Sequence, residues 1–573
     1  MQRSNYERII MVLILLISVV HVSPLAFEHI DAASSNDDWT QIFAFQAYLA
    51  DQLLSIGSIP QRSHILGGGF PIIGHPEYPV LSPLILPVWL FGPVMGVRVA
   101  SAVYFLLGVF GMWSWLRARR FDVEVAAYGT LVYATCGWFV AIMASGNFPQ
   151  IYYLWLPLWL WLVVPSTPSA PRLDARLILA ALLGACALTD GHLNTACTFL
   201  VIGYVALTTS RRATERAVLF AIITTGLAAF KLAPTLALLA IEDRSIDIYG
   251  AEALETATFS IDLFTSTTGR PEGFPLGWVP WILCLPAILS PRRKDALRML
   301  SILLLAALLW LGPNAPIDLF WVLSRVPILQ SIDAPSKYFV FFIGFSAIAL
   351  GCHGLMAIPT PFRGKAALLL AGLSSGLLIW NGSPEFTRPF DRIDDSGAPP
   401  VFLPYEPVDT SYFVSEPWTG SERGRPDLYF YYRAGIPLVR WEDNFQLPTA
   451  VVPSKVLSLD GKMASHPAAR PLALLENSPV QVDHFSANRI RLSFPQRSEP
   501  GRLSINQTAD TGWTCDVGTP TPNTKLLELS VPGGSSSVDC HYHSIPLQTG
   551  AGITTLTLAL LLGFTWRQRR MAT

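Results

Sequence analysis

The stretch from Ser34 to Gly92, SSNDDWTQIFAFQAYLADQLLSIGSIPQRSHILGGGFPIIGHPEYPVLSPLILPVWLFG, decides how the rest of the chain is read. Two acids, Asp37 and Asp38, stand shortly after the apolar run Ile9–Val22. The run Trp39–Ile56 that follows is amphipathic, and it is expected to lie flat at a membrane interface. Next come Ile59-Pro60, a Gly67-Gly68-Gly69 turn and the sequence His75-Pro76-Glu77-Tyr78. The apolar segment Leu81–Met95 contains Pro83, Pro87 and Pro93, and reads as interfacial or re-entrant rather than as a span.

Composition gives this loop its setting. Hydrophobic residues make up 51% of the 573-residue chain and charged residues 14%, with a mean hydropathy of +0.41. A soluble globular chain carries about 25% charged residues, so lipid is needed to cover the excess apolar surface. The net charge of -1 gives no basic footprint for nucleic acid. The chain is expected to be a polytopic α-helical membrane protein.

Twelve apolar runs are candidate spans: Ile9–Val22, Val97–Leu116, Val123–Ala144, Ile151–Val164, Leu177–Leu188, Leu193–Leu207, Ala217–Leu239, Leu276–Leu289, Met299–Leu311, Tyr338–Ile358, Ala366–Trp380 and Ile553–Trp566. Basic clusters follow every even-numbered run. They are Arg117/Arg119/Arg120, Arg172/Arg176, Arg211/Arg212/Arg216, Arg292/Arg293/Lys294/Arg298, Arg363/Lys365 and Arg567/Arg569/Arg570. The positive-inside rule then places both termini in the cytoplasm. Arg3 and Arg8 precede the first run, which reads as a retained helix rather than a cleaved signal peptide.

This scheme divides the chain into a transmembrane domain over 1–380 with a first outer loop at 27–96, an outer domain over 381–549, and a final helix with its tail over 550–573. The outer domain is polar and rich in Pro and Gly. The runs RIRLSF from Arg489, GRLSIN from Gly501 and KLLELSV from Lys525 read as strands of a β-sandwich. Cys515 and Cys540 lie in this domain and can form a disulfide if it faces an oxidising compartment. The other five cysteines sit in or beside apolar runs, as small buried residues do.

The order of these elements resembles the GT-C superfamily of polytopic membrane glycosyltransferases, and within it the bacterial YfhO-type branch. The resemblance is carried by Asp38, the helical run Trp39–Ile56, Ile59-Pro60, Gly69-Phe70-Pro71 and Ser82-Pro83. It continues through GNFPQ at Gly146, DGHLNTA at Asp190, DAPSKYF from Asp333 and INQTADTGWTCDVG from Ile505. Lys337 stands where many relatives have Arg, and the Asp37/Asp38 pair leaves the catalytic acid open between two residues. The resemblance implies an enzyme of the bacterial plasma membrane. It would take a sugar from a polyprenyl-phosphate donor and pass it to a glycan, lipid or protein acceptor of the cell envelope, on the outer face.

Such a transfer needs a base for the acceptor hydroxyl and cations for the leaving phosphate. Asp38 is the candidate base and Asp37 the simpler helix cap. Lys337 and Arg325 are candidates for the lipid phosphate, or else snorkelling anchors. His75 with Glu77, and Asp190 with His192, could orient a substrate or simply fill polar turns. Lys231, inside the seventh run, is a functional candidate as an intramembrane charge. No cofactor is implied, and Asp37-Asp38 lacks the Asp-x-Asp spacing that would call for a metal, although a divalent ion is left open.

Walker A, GxSxG, HExxH and Rossmann signatures are missing. Two other readings stand beside the enzyme. A transporter or flippase fits twelve spans, but the sequence has no half-length repeat. A non-catalytic envelope assembly protein could share the fold without the chemistry.

Overall fold

The computed structural model describes residues 2–27, 37–241, 274–325, 335–387, 414–415, 455–457, 463–465 and 471–572, apart from positions 56, 65, 67, 81, 147, 166–169, 191–194 and 522–523. The chain forms two compact units. The first comprises Met1–Ala32, Val94–Leu227 and Arg244–Asp391, and the second Ala33–Pro93, Ala228–Asp243 and Arg392–Thr573.

The helices in chain order are α1 (Gln2–Phe27), α2 (Asp37–Ser55), α3 (Ile85–Ala118), α4 (Val123–Thr135), α5 (Gly137–Ser145), α6 (Leu156–Val163), α7 (Ala175–Thr189) and α8 (Ala196–Thr209). They continue with α9 (Arg211–Leu227), α10 (Ala229–Ile241), α11 (Trp278–Cys284), α12 (Arg293–Leu311), α13 (Leu319–Leu323), α14 (Pro335–Ala357), α15 (Thr360–Thr387) and α16 (Ile545–Ala572). Every one of the twelve apolar runs carries helix. Among the described residues, however, seven helices are long and apolar enough to cross a membrane, or up to eight if α9 and α10 count as one broken span. At 1.5 Å per residue, a helix the length of α7 or α8 falls short of a bilayer core of about 30 Å. The protein is therefore a multi-pass helical membrane protein in which full spans are mixed with shorter helices.

Two expectations change in detail. The seventh run is not one helix, because α9 ends at Leu227 and α10 begins at Ala229. The Leu81–Met95 segment is helical from Ile85 and joins the second span through a break at Gly92, whose φ of 79° only glycine adopts freely, followed by Pro93.

In the first unit, α14 and the α4–α5 pair are almost wholly buried, whereas α1 and α15 are largely exposed. Small residues bring backbones together. A Cβ on Gly108 of α3 would stand 2.7 Å from the Leu154 carbonyl oxygen. The basic clusters of this unit meet at one end. Arg117 pairs with Glu7 at 2.7 Å, Arg363 with Asp122 at 2.8 Å, and Arg292 donates to the Arg120 carbonyl at 2.6 Å. Arg298 donates to Thr208 Oγ1 at 2.8 Å, Arg172 pairs with Glu215 at 2.8 Å, and Arg216 with Asp174 at 3.0 Å. These bonds join the C-terminal ends of α3 and α8 to the N-terminal ends of α1, α4, α7, α9, α12 and α15, so five of the six basic clusters lie on one side.

The second unit holds α2, the loop at 57–84, α10, the β-domain and α16. Strands β1 (Val414–Ser415), β2 (Lys455–Leu457) and β3 (Met463–Ser465) form a small sheet in that order. The remaining strands are β4 (Ala473–Leu475), β5 (Ser478–Pro479), β6 (Gln481–Ser486), β7 (Arg489–Ser493), β8 (Gly501–Thr508), β9 (Trp513–Cys515), β10 (Leu526–Val531) and β11 (Ser537–Tyr542). They make two antiparallel four-stranded sheets, ordered β10-β8-β4-β5 and β6-β7-β11-β9. One core joins both sheets, with Leu503, Ile505, Leu527 and Leu529 from the first and Ile490, Leu492, Val538 and Tyr542 from the second. This is the sandwich expected from the three quoted runs, which became β7, β8 and β10. Cys515 and Cys540 pair directly across β9 and β11 and form a disulfide, with Cα atoms 4.0 Å apart. The last helix packs on α10, where Thr554 Oγ1 accepts from the Phe230 backbone N–H at 3.2 Å.

Candidate functional site

The helix α2 begins at Asp37, and Asp38 is its second residue. Acids in a first turn are favoured by the helix dipole. Of Asp37 and Asp38 only the backbone positions are described. The helix does not lie flat with one face free: from Trp39 to Leu49 every described side chain is buried. The polar residues that made the run look amphipathic include the neutral amides Gln41, Gln46 and Gln52, and all three are buried.

One stripe of α2, at the i, i+4, i+7 positions Gln41, Phe45 and Tyr48, meets the loop. Gln41 Nε2 donates to Glu77 Oε2 at 3.2 Å. The Phe45 ring lies 4.9 Å from His75 and 5.6 Å from Tyr78. The Tyr48 hydroxyl donates to the Arg62 carbonyl at 3.1 Å and shares a 3.0 Å hydrogen bond with His64 Nδ1. Asp37 and Asp38 precede Gln41 by four and three residues, so they open the helix whose stripe is fixed on Glu77 and His75. His75 is fully buried. Its Nδ1 accepts from the Glu77 backbone N–H at 3.1 Å.

The loop is pinned from two directions. Lys231, in the first turn of α10 and 1% exposed, donates to the carbonyls of Ile73 at 3.1 Å, His75 at 2.5 Å and Tyr78 at 2.7 Å. An ammonium has three protons, and here each has a carbonyl acceptor. The Tyr78 ring stands 5.8 Å from the same nitrogen. The intramembrane charge is thus a clamp on the His75–Tyr78 turn.

From the other direction, Arg62 is 1% exposed and inserts into the β-domain. It pairs with Asp510 at 3.0 Å, donates to the Thr508 carbonyl at 3.1 Å and to the Gly69 carbonyl, and lies 4.9 Å over the Tyr542 ring and 5.7 Å over the Trp513 ring. The Tyr542 hydroxyl donates to Asp510 at 3.0 Å. Gln61 and Asn488 add a reciprocal pair. The Gln61 N–H donates to Asn488 Oδ1, and Asn488 Nδ2 donates to the Ile59 carbonyl, both at 2.9 Å.

Gly69, with φ of 97°, leaves no room for a Cβ beside the Gln507 side chain and Arg62. Its close approach is to β8, which is what the described part of the glycine turn does here. Gly67 lies outside the described residues. His64 is buried between Tyr48 and Phe485, and burial first, then the nearby His484, lowers its pKa to about 3.

The remaining candidates belong to the first unit. Asp190 caps the C-terminus of α7, is buried, and its Oδ2 accepts from the Tyr104 hydroxyl at 3.4 Å, beside an aromatic cluster of Tyr104, Tyr152 and Trp155. His192 lies outside the described residues. Arg325 is exposed on the turn after α13 and stacks 4.7 Å over Trp321. Lys337 is the third residue of α14, and only its backbone position is described. Among the described residues no group of three or more His, Cys, Asp or Glu could hold a metal ion.

The sequence pointed to the loop, to His75 and to Glu77. It did not single out Arg62 or Gln61, and only the isolated arginine between Pro60 and the glycine turn hinted at a buried partner.

No protein-family profile and no curated protein sequence matches the chain. Among solved structures it is similar to the arabinofuranosyltransferase AftD from Mycobacteria, with a TM-score of 0.47 and 14% identity, over 95% of this chain and 40% of that one. It is also similar to the oligosaccharyltransferase AglB from Archaeoglobus fulgidus, with a TM-score of 0.42 and 10% identity, over 78% of this chain and 65% of that one. The chain thus spans about two fifths of the length of the AftD structure that it matches.

Proposed function

We propose that the chain is a GT-C-type membrane glycosyltransferase that moves a sugar from a polyprenyl-phosphate donor to an envelope acceptor on the outer face of the membrane. The observation that carries the reading is the mounting of the first loop. The helix opened by Asp37 and Asp38 is packed on a turn bearing His75 and Glu77, and that turn is fixed by Lys231 and, through Arg62, by the β-domain. A base that must meet a sugar hydroxyl within hydrogen-bond reach needs this kind of rigid seat. The order of motifs along the chain supports the same reading, and the YfhO-type branch rests on that order alone.

In this mechanism Asp38 removes the proton of an acceptor hydroxyl. The freed oxygen attacks the anomeric carbon of the donor sugar. The bond from that carbon to the phosphate oxygen breaks, and polyprenyl phosphate leaves with the electron pair. Lys337, with Arg325, holds the leaving phosphate. Direct displacement inverts the anomeric configuration. His75, buried against Phe45, holds the turn that carries Glu77, and Glu77, Asp190 and His192 are the candidates for orienting the sugars. The positive-inside rule would turn the basic end of the first unit, where the start of α1 lies, toward the cytoplasm, which supports a cytoplasmic N-terminus.

The test is transfer of radiolabelled sugar from a polyprenyl-phosphate donor by the purified full chain in proteoliposomes. Product with inverted configuration supports the reading. Movement of the labelled lipid between leaflets without transfer would favour the flippase alternative.

A further inference from the structure

At the basic end of the first unit, a surface groove of 810 Å³ opens along the hairpin of α8 and α9. Arg172 and Arg211 stand at its rim, and Leu207, Val218 and Leu219 form its apolar wall. The rim carries surplus positive charge. Glu215 is the one carboxylate there, and it is shared by three arginines, with Arg172 at 2.8 Å, Arg212 at 2.9 Å and Arg211 at 3.3 Å. Two positive charges remain uncompensated, and the Arg172 and Arg211 side chains are 64% and 92% exposed.

The wall continues into an exposed apolar stripe. Leu207 is 68% exposed and Val218 53%, and Leu200 and Ile222 carry the stripe away from the arginines along the same two helices. Such a surface is covered by lipid, and the arginines sit where that apolar stripe ends.

We propose that this groove holds one anionic phospholipid in the leaflet on the basic side of the protein. Its phosphate would meet Arg172 and Arg211, and an acyl chain would run along Leu207, Val218 and Leu219. The charge surplus selects an anionic headgroup, and the apolar wall selects a lipid over a free phosphate. A guanidinium reads a phosphate oxygen pair well, so two of them at one groove mouth make a specific seat rather than a diffuse attraction.

Native mass spectrometry of the full chain in a neutral detergent tests this, with dioleoylphosphatidylglycerol and dioleoylphosphatidylcholine as the two probes. The wild type should retain one phosphatidylglycerol roughly tenfold or more above phosphatidylcholine. Arg172→Gln with Arg211→Gln should bring the two lipids level. Leu207→Trp keeps both arginines but fills the groove, and should also cost most of the phosphatidylglycerol binding. Excess inorganic phosphate should leave the lipid adduct in place. Equal retention of the two lipids by the wild type would overturn the proposal, as would an undiminished preference in the double variant. Full preference in Leu207→Trp, or displacement by phosphate, would reduce the seat to a headgroup attraction and also overturn it.

Discussion

The Lys231 ammonium lies 2.5 Å from the His75 carbonyl oxygen, and it also donates to two further carbonyls of the same turn. A lysine 1% exposed in the first turn of a helix therefore sets the shape of a loop more than a hundred residues earlier in the chain.

Lys231→Met keeps the length and apolar stem of the side chain but leaves three buried carbonyls without a donor. The expected cost is about 3–5 kcal/mol of stability, read as a lowered melting temperature in detergent. Transfer activity should fall by at least roughly tenfold at temperatures where the variant is still folded, because the turn bearing His75 and Glu77 loosens. Wild-type activity in this variant would show that the clamp does not shape the site.

Gly69→Ala tests the seam between the loop and the β-domain. A methyl group there meets Gln507 and Arg62, and the φ of 97° is strained for any residue with a Cβ. Destabilisation of about 2–4 kcal/mol is expected, with faster proteolysis of the loop at 57–84. Gly57, whose φ is also positive but which has open space around it, should tolerate alanine at a smaller cost.

His64 makes stability depend on pH. Its folded pKa, lowered to about 3, lies below the ordinary value of 6.5, so the unfolded chain binds the extra proton first. Its contribution is therefore fully present above pH 6.5 and is lost as the pH falls from there toward 3. At pH 4.5 the loss should approach about 2–3 kcal/mol. His64→Gln should flatten that slope of melting temperature against pH while lowering the plateau. An unchanged slope would remove His64 as its source.

The Cys515–Cys540 bridge closes a loop with a sequence separation of 25 and should contribute about 3 kcal/mol. Reduction, or the Cys515→Ser and Cys540→Ser pair, should lower the melting temperature of the β-domain. The sheets should survive, because β11 also pairs with β7 independently of β9.

Much of this architecture is legible in local pattern. The runs at Arg489, Gly501 and Lys525 alternate, and so became strands, and the two cysteines of the β-domain faced each other across one of the sheets. Five of the six basic clusters gather at one end of the first unit, where each stands at or beside a helix end near carboxylates and carbonyls. The burial of α2 was not legible. Gln41, Gln46 and Gln52 are polar but uncharged, and a periodicity count scores them as a solvent face although all three are buried. The clamp by Lys231 and the insertion of Arg62 were also out of reach. Lys231 meets main-chain carbonyls more than a hundred residues away, and Arg62 meets Asp510, Tyr542 and Trp513 more than four hundred residues away, pairings that no local side-chain pattern encodes. The break at Ala228 is announced only by Thr224, Thr225 and Gly226 just before it, with no proline at that point.

The central claim is that Asp38 is the base of a sugar transfer, and the most direct measurement is the rate of that transfer by Asp38→Asn in proteoliposomes beside wild type and Asp37→Asn. The substitution keeps the size of the side chain and the start of α2 while removing the proton acceptor. The account predicts a fall of roughly 100-fold or more for Asp38→Asn with membrane insertion and melting temperature unchanged, and a much smaller fall for Asp37→Asn. Full transfer by Asp38→Asn would contradict it.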